Sequence, residues 1–277
     1  MRRILIMAAV LLSAISCGRN DDSKILILYY SQSGTTKSVA EVLQKRLSAD
    51  MEAIVPLEPY DGDYQATIER GRKELEADIL PDIQAIASGI SAYDVIFLGF
   101  PVWFGTYARP IATLLAAADF SGKKVVPFCT FGSGGLESSV KNIREKQPDA
   151  EVLDGYGIRA ARIDAVAAEL DCFLKTNGFI AGESEPLLSF PESRPVTEEE
   201  SNIFDIAVGD YPMIRAKAEE VASRPVPGGT EYLFTARNLP ADIPGRDAPQ
   251  DRPVSRTIKV YVLAEDGRAP VFTQVVR

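Results

Sequence analysis

From Lys24 to Gly178, short apolar runs alternate with stretches of helical periodicity. Ile25 to Tyr30 is a continuous apolar run, as expected of a strand buried on both faces of a parallel sheet. Thr36 to Leu47 carries Val39, Ala40, Leu43 and Leu47 at helical spacing. Ala53 to Leu57 reads as a brief second strand, Asp63 to Glu76 as a charged helix, and Pro81 to Ala87 as the start of another helical turn. Asp94 to Gly99 and Lys124 to Phe131 supply a third and a fourth strand. Between them Pro110 to Ala117 is an apolar helix with proline in its first turn, where proline is tolerated. Leu136 to Lys146 continues as helix, Ala150 to Leu153 as a fifth strand, and Asp164 to Thr176 as a helix closed by Gly178. Strands alternating with helices predict βαβ units in a right-handed, doubly wound parallel sheet, an α/β domain over residues 23–182.

The pattern changes beyond Gly182. Residues 183–195 hold three prolines and read as a linker, followed by a smaller α+β domain over 196–277. Thr197-Glu198-Glu199-Glu200 has the form of a capping box, with Ile203, Phe204 and Ala207 as the apolar stripe of its helix. Tyr211 to Ala222 is ambiguous, since its Ala, Glu and Lys favour helix despite Pro212. Thr230 to Ala236, Thr257 to Leu263 and Val271 to Val276 alternate as antiparallel strands, and Leu239 to Val254 reads as an extended Pro-rich loop.

Residues 1–22 are read as leader and tether. Arg2 and Arg3 precede an apolar run from Ile4 to Leu12 and then Ser13-Ala14-Ile15-Ser16-Cys17, the layout of a secretory signal. The run is too short to span a bilayer, which needs roughly 20 residues. Small residues before Cys17 resemble a bacterial lipoprotein box, although Ala14 stands where leucine is usual. That resemblance implies lipidation of Cys17 and an exported protein anchored on the periplasmic or surface side of a bacterial membrane; plain secretion is the alternative. Cys129 and Cys172 both lie in apolar contexts and read as buried free thiols. There is no histidine, which excludes Ser-His-Asp and Cys-His machinery and disfavours zinc or haem, so any chemistry must come largely from a cofactor. Net charge is −9, and loss of Arg2 and Arg3 from 30 cations set against 39 anions leaves −11, a poor balance for binding nucleic acid.

The candidate chemistry gathers at three strand ends. After the first strand, five of the six residues from Ser31 to Thr36 are Ser, Thr or Gly. Ser31, Ser33, Thr35 and Thr36 offer hydroxyls, Gly34 permits a tight turn, and the loop opens a helix, where N–H groups favour an anion. An ordinary helix cap is the bland explanation. With no lysine in the loop, neutral donors suit a phosphate monoester better than a nucleoside triphosphate. After the third strand comes Pro101-Val102-Trp103-Phe104-Gly105, with the only tryptophan of the chain. After the fourth comes Thr130-Phe131-Gly132-Ser133-Gly134. Aromatics at a strand's carboxyl end can flank a flat heterocycle, and glycines allow close backbone approach, although tryptophan more often serves packing and glycine ordinary turns.

The first loop resembles the flavodoxin signature, with Tyr29, Ser31, Gly34, Thr36, Ala40 and Leu43 at matching positions. The later stretches G-F-P-V-W-F-G-T and D-F-S-G-K-K-V-V-P-F-C-T-F-G-S-G-G are similar to the branch of that family related to bacterial NAD(P)H-dependent oxidoreductases. The resemblance implies a five-stranded sheet of order 2-1-3-4-5 and FMN as cofactor. It places the phosphate on Ser31, Ser33, Gly34, Thr35 and Thr36. Pro101, Val102, Trp103, Phe104 and Gly105 would border the isoalloxazine, and Thr130, Phe131, Gly132, Ser133 and Gly134 would close its other side. Tyr107-Ala108-Arg109 departs from the smaller loop of relatives, so Arg109 either reaches a ligand anion or caps its own loop, the second being preferred. No residue identifies a nicotinamide site. The C-terminal domain bears a limited resemblance to cystatin-like folds, which would make Met213 to Val226 extended. Arg224, Val226 and Gly228 stand where inhibitory cystatins carry Gln-x-Val-x-Gly.

Three functions stay open at this point. The first is an FMN flavoprotein that transfers electrons to an unidentified redox partner or, as an oxidoreductase, reduces a small acceptor such as a quinone. The second is a non-catalytic lipoprotein whose flavodoxin scaffold and C-terminal domain bind protein or glycan. Protease inhibition by the C-terminal domain ranks third.

Overall fold

In the computed structural model, which describes residues 23–60, 63–183, 188–209, 211, 214–238 and 256–276, two sheets form from successive parts of the chain. The leader with Cys17 and the stretch Leu239 to Val254 lie outside the described residues. The first part runs β1 (Ile25–Tyr29), α1 (Thr35–Leu47), β2 (Asp50–Ala53), α2 (Tyr64–Glu76), β3 (Val95–Trp103), β4 (Thr106–Tyr107), α3 (Arg109–Ala117), β5 (Lys124–Phe131), α4 (Leu136–Lys146), β6 (Glu151–Val152), β7 (Tyr156–Arg159) and α5 (Val166–Thr176). Its parallel core has the order β2-β1-β3-β5-β6, with β7 beside β5 and β4 folded back on β3. With β6 and β7 taken as one interrupted strand and β4 set aside, this is the expected 2-1-3-4-5 sheet.

Alternation along the strands sorts the core into two layers. Leu26, Leu28, Ile96, Leu98 and Phe100 meet Ile111, Leu114 and Leu115 of α3 and Val140 and Ile143 of α4. Their neighbours Ile25, Ile27, Val95 and Phe97 meet Val39, Ala40 and Leu43 of α1 and Leu170 and Leu174 of α5. Each fully buried aliphatic side chain contributes roughly 1.5–3 kcal/mol, so the two-faced burial of β1 alone is a large share of any domain's stability. Gly99 is required by this packing, because a Cβ there would lie 2.1 Å from Phe128 Cζ.

The fifth strand is broken for a backbone reason. Leu153 N donates to Val125 O, so Val125 presents its polar groups to the β6 side, and Pro127, two residues on, faces the same way. Proline has no N–H to offer the ladder, and the partner chain leaves it at Asp154-Gly155, with Gly155 at φ +80°. Pairing resumes as β7, which the sequence reading missed. Two other expectations are corrected. The second strand is Asp50–Ala53, not Ala53 to Leu57. Residues 81–87 are not helical: Ile83 bridges Pro56 and Gln84 N donates to Val55 O, so the segment is drawn out along residues 55–57. Cys129 is buried but Cys172 is exposed, because it lies two residues from both Leu170 and Leu174 and faces away from their side of α5.

The C-terminal unit is β8 (Arg194–Pro195), α6 (Glu198–Val208), β9 (Ala216–Val226), β10 (Gly229–Asn238), β11 (Arg256–Glu265) and β12 (Val271–Val276). Its five strands are antiparallel in the order β12-β11-β10-β9-β8, and α6 packs Phe204, Ala207 and Val208 on Val221, Phe234, Val260 and Phe272. Edge strand β8 falls inside the stretch read as linker. The ambiguous Ala-, Glu- and Lys-rich segment is extended from Ala216 onward, since it pairs with β10 along its length and places Ala218, Val221 and Ala222 in the core. Tertiary pairing here overrides helix propensity.

The capping box forms as read. Thr197 Oγ1 accepts from Glu200 N, and the Glu200 carboxylate accepts from Thr197 N at 3.0 Å and from Arg194 at 2.6 and 2.8 Å. The Arg194 hydrogen bonds, helped by those from Thr197, outweigh burial and hold the Glu200 carboxyl at about 2 against an ordinary 4.5. Because the folded value lies below the unfolded one, the contribution is full above about 4.5 and is lost as pH falls towards about 2. Glu200→Ala is expected to destabilise the C-terminal unit by about 1–2 kcal/mol at pH 7. That difference should shrink steadily as pH falls from about 4.5 towards about 2 in urea titrations followed by circular dichroism; a penalty of constant size would contradict this account.

Candidate functional site

At the end of β1 the chain turns through Ser31–Gly34 into α1. Gly34 is the capping residue, at φ +88°, with open space where a Cβ would stand. It offers no side-chain cap. Lys37 N donates to Ser31 Oγ at 3.2 Å, whereas the N–H groups of Thr35 and Thr36 have no acceptor within the helix. Ser33 and Thr35 face each other, with hydroxyl oxygens 3.1 Å apart. No acidic side chain occupies the first turn, so the positive end of the helix is not neutralised locally. Lys37 points instead to Glu41, 3.8 Å away on the exposed face. Thr36 is different from its neighbours: it is 1% exposed and its hydroxyl lies 2.8 Å from that of Thr130. Its side chain fastens the loop to the end of β5, leaving Ser31, Ser33 and Thr35 as the outward hydroxyls.

The second loop is shorter than the sequence reading implied. Pro101, Val102 and Trp103 belong to β3, and Phe104 (φ +53°) and Gly105 (φ +86°) make the two-residue turn to β4. Two successive left-handed residues match the twist of a tight hairpin. Trp103 is therefore a strand-end residue held by its surroundings. Its indole meets Tyr30 and Tyr60 edge-on, with centroids at 5.7 and 5.0 Å, and Gly71 of α2 leaves room for it: a Cβ there would be 3.3 Å from Trp103 Cε3. Phe104 is 45% exposed at the tip. Ser138 of α4 donates to Gly105 O, and Asn142 Nδ2 donates to Thr106 Oγ1 at 2.9 Å, so α4 holds the hairpin.

Gln32, absent from the sequence-based candidates, bridges the first two loops. Its Oε1 accepts from Tyr30 Oη and its Nε2 donates to Tyr60 O, both at 2.5 Å. Tyr60 Oη donates to Glu74, which also receives Arg70 Nε at 2.8 Å, and the Arg70 guanidinium lies 4.0 Å from the Tyr60 ring centroid. Burial pushes both phenols well above their usual range, and the Glu74 carboxylate adds to the shift of Tyr60. They act as hydrogen-bond donors and apolar walls, not as bases.

The third loop, Gly132–Gly135, leaves β5 after Thr130 and Phe131 and opens α4. The close backbone approach that its glycines permit is made, in part, to the C-terminal unit. Val275 N donates to Ser133 O at 2.6 Å, and a Cβ on Gly134 would lie 2.2 Å from Val275 O. Arg159 of β7 donates from Nε to Gly132 O and from Nη1 to Phe272 O, both at 2.9 Å, with its guanidinium 3.4 Å from the Phe272 ring centroid. At the end of the loop, a Cβ on Gly135 would meet Val102 Cγ1 at 2.5 Å.

The sequence-predicted residues thus come together at one end of the sheet. Thr36–Thr130 ties the first loop to the third, Gln32 ties the first to the second through Tyr30 and Tyr60, and Val102–Gly135 joins the second to the third. Arg109 does not take part: it is buried and donates to Ile79 O and to Asp78, pinning the chain beyond α2. Cys129 lies beneath the site with its thiol pushed up by burial, so it is no nucleophile. Among the described residues no group of three or more His, Cys, Asp or Glu could hold a metal ion. The donor set fits a phosphorylated ligand with a flat apolar ring. Sequence reasoning missed Gln32, Tyr60, Gly71 and Arg159. Gln32 was visible inside the first loop, but nothing in the linear pattern marks the other three.

A family-level match to flavodoxin covers residues 24–169. A search of curated proteins returns no match. Among solved structures, a putative flavoprotein from Bacteroides eggerthii is 32% identical, covering 54% of this chain and 97% of its own, with a TM-score of 0.47. One from Bacteroides uniformis is 26% identical, covering 54% and 98%, at 0.49. A Lactobacillus acidophilus flavoprotein solved in complex with FMN is 28% identical, covering 54% and 97%, at 0.44. The family match leaves the C-terminal unit outside it.

Gln32→Ala removes both hydrogen bonds that link the first loop to the aromatic cluster. It is expected to cost about 1–3 kcal/mol, at roughly 0.5–1.5 kcal/mol per bond, and to shift Trp103 emission as the cluster loosens. An unfolding midpoint and an emission maximum both identical to wild type would show the bridge to be idle.

Proposed function

Because the chain belongs to the flavodoxin family, we propose that it binds FMN across the three loops and works as an electron-transfer flavoprotein. The observation that carries this is the convergence of three chemically distinct loops at the carboxyl ends of β1, β3 and β5, the place where open α/β sheets take ligands. The outward hydroxyls of Ser31, Ser33 and Thr35 and the first-turn N–H groups of α1 would hold the phosphate, with Gly34 giving it room. Thr36 would act from behind by fixing the loop to Thr130. Trp103 and Phe104, with Pro101, Val102 and Gly105, would border the ring, and residues 130–134 would close its other side. Bound FMN would supply one- or two-electron redox chemistry, which side chains alone do not offer. The protein's part is to hold the ring, keep water from one face and set the hydrogen bonds along its edge.

The acceptor in this reading is a redox partner or a small molecule such as a quinone. The net charge favours a basic protein partner through long-range steering. Residues 1–22 support export and attachment through a lipidated Cys17. Among the described residues no helix is long and apolar enough to cross a membrane. A cystatin-like relationship of the C-terminal unit stays a proposal, supported by the run of five antiparallel strands in chain order around one helix. The alternative, a scaffold without cofactor that binds protein or glycan, becomes the better reading if FMN does not bind.

Titration with FMN at neutral pH is expected to quench Trp103 fluorescence and give a yellow protein. Ser31→Ala combined with Thr35→Ala should weaken FMN at least tenfold, about 1.4 kcal/mol, in a variant that circular dichroism shows to be folded. A change below about threefold, less than one hydrogen bond is worth, would remove the phosphate assignment. For the anchor, Cys17→Ala should abolish incorporation of labelled fatty acid and release the protein from the membrane fraction. Labelling that persists in that variant would refute lipidation at Cys17.

A further inference from the structure

We propose that the C-terminal unit is a working part of the cofactor site: β12 and Arg159 set the orientation of two peptide groups in the Gly132–Gly135 loop, so that their N–H donors face the flavin. This inference rests on the FMN reading above and adds to it a role for a unit that the family match does not include.

A trans peptide carries its C=O and its N–H on opposite sides. The Gly132 carbonyl is held by Arg159 Nε at 2.9 Å and the Ser133 carbonyl by Val275 N at 2.6 Å. The N–H groups of Ser133 and Gly134 belong to these same two peptide planes, so they point away from Arg159 and from β12. Gly134 meets Val275 of β12, whereas Gly135 meets Val102 and Gly105 of the hairpin that borders the proposed ring site.

A loop with three glycines in four residues would otherwise sample many peptide orientations. Docking removes that freedom before a ligand arrives, which lowers the ordering cost of binding. Arg159 is suited to the task because one planar fork reaches two carbonyls on different units while stacking on Phe272. Electron density on the ring edge rises on reduction, and N–H donors bind an electron-rich acceptor more strongly. The docked loop therefore favours reduced over oxidised FMN.

The test uses the full chain and three variants. Gly134→Ala drives a methyl group into Val275 O without removing a polar group, Arg159→Met removes both guanidinium bonds, and Arg159→Lys keeps the charge. Circular dichroism checks that each variant is folded, and the lysine variant keeps the test open if the others do not fold. Gly134→Ala and Arg159→Met should weaken FMN at least tenfold, with Arg159→Lys intermediate. They should also speed amide exchange at residues 132–135 in the cofactor-free protein. A tenfold preferential loss of the reduced form would appear as a midpoint fall of about 30 mV, a change that mere loosening of the unit interface would not produce. Folded variants that keep FMN affinity within twofold and an unchanged midpoint overturn the proposal. A wild-type protein that binds no FMN, with exchange at 132–135 still faster in the variants, overturns the FMN reading and with it this role. The interface would then remain as packing alone.

Discussion

Burial of β1, β3 and β5 on both faces is the constraint from which the rest of the molecule follows. A strand with helices on either side cannot place polar side chains along its length, so polar groups are displaced to its ends. The three central strands run parallel and in register, so their carboxyl ends finish side by side. Everything with chemical character collects there: the hydroxyls after β1, the aromatic hairpin after β3 and the glycines after β5. The Thr36–Thr130 pair shows the economy of the arrangement, since one buried contact between two hydroxyls fixes the spacing of loops separated by a whole strand.

Much of this architecture was legible because it is written in local patterns. The unbroken Ile25–Tyr30 run, the helical spacing of Val39, Ala40 and Leu43, and the Thr197–Glu200 capping box each arise from interactions within a few residues. What escaped notice depends on partners distant in sequence. Pro127 interrupts a neighbouring strand and not its own. Residues 81–87 follow the chain at 55–57, and Ala216–Val226 is extended because β10 requires a partner. The Trp103 loop was read as longer because the return strand β4 is only two residues. Of the site residues, the hydroxyl cluster could be found from composition at a strand-to-helix turn. Gly71 and Arg159 could not, because a glycine in a charged helix and an arginine after a short strand carry no signal until their contacts are known.

The two units also differ in what covers the faces of their sheets. The parallel sheet is closed on both faces by helices. The antiparallel sheet is covered by α6 on one face, while Phe190 and Leu188, from the connecting segment, reach the other by way of Tyr261 and Arg224. Phe190 is thus part of the second sheet's cover.

The contact between Ser133 and Val275 places the finishing of one domain in the hands of the other, and it has a consequence for biogenesis. At roughly 5–20 residues per second of synthesis, the partner for Ser133 is made on the order of 10 s after Ser133 itself. Once β7 has been made, the parallel sheet has all its strands, but until β12 follows its third loop lacks the hydrogen bond it keeps in the finished protein. The set of strand-end loops is therefore completed late, and a chain interrupted between the two units would lack the strand that holds its third loop.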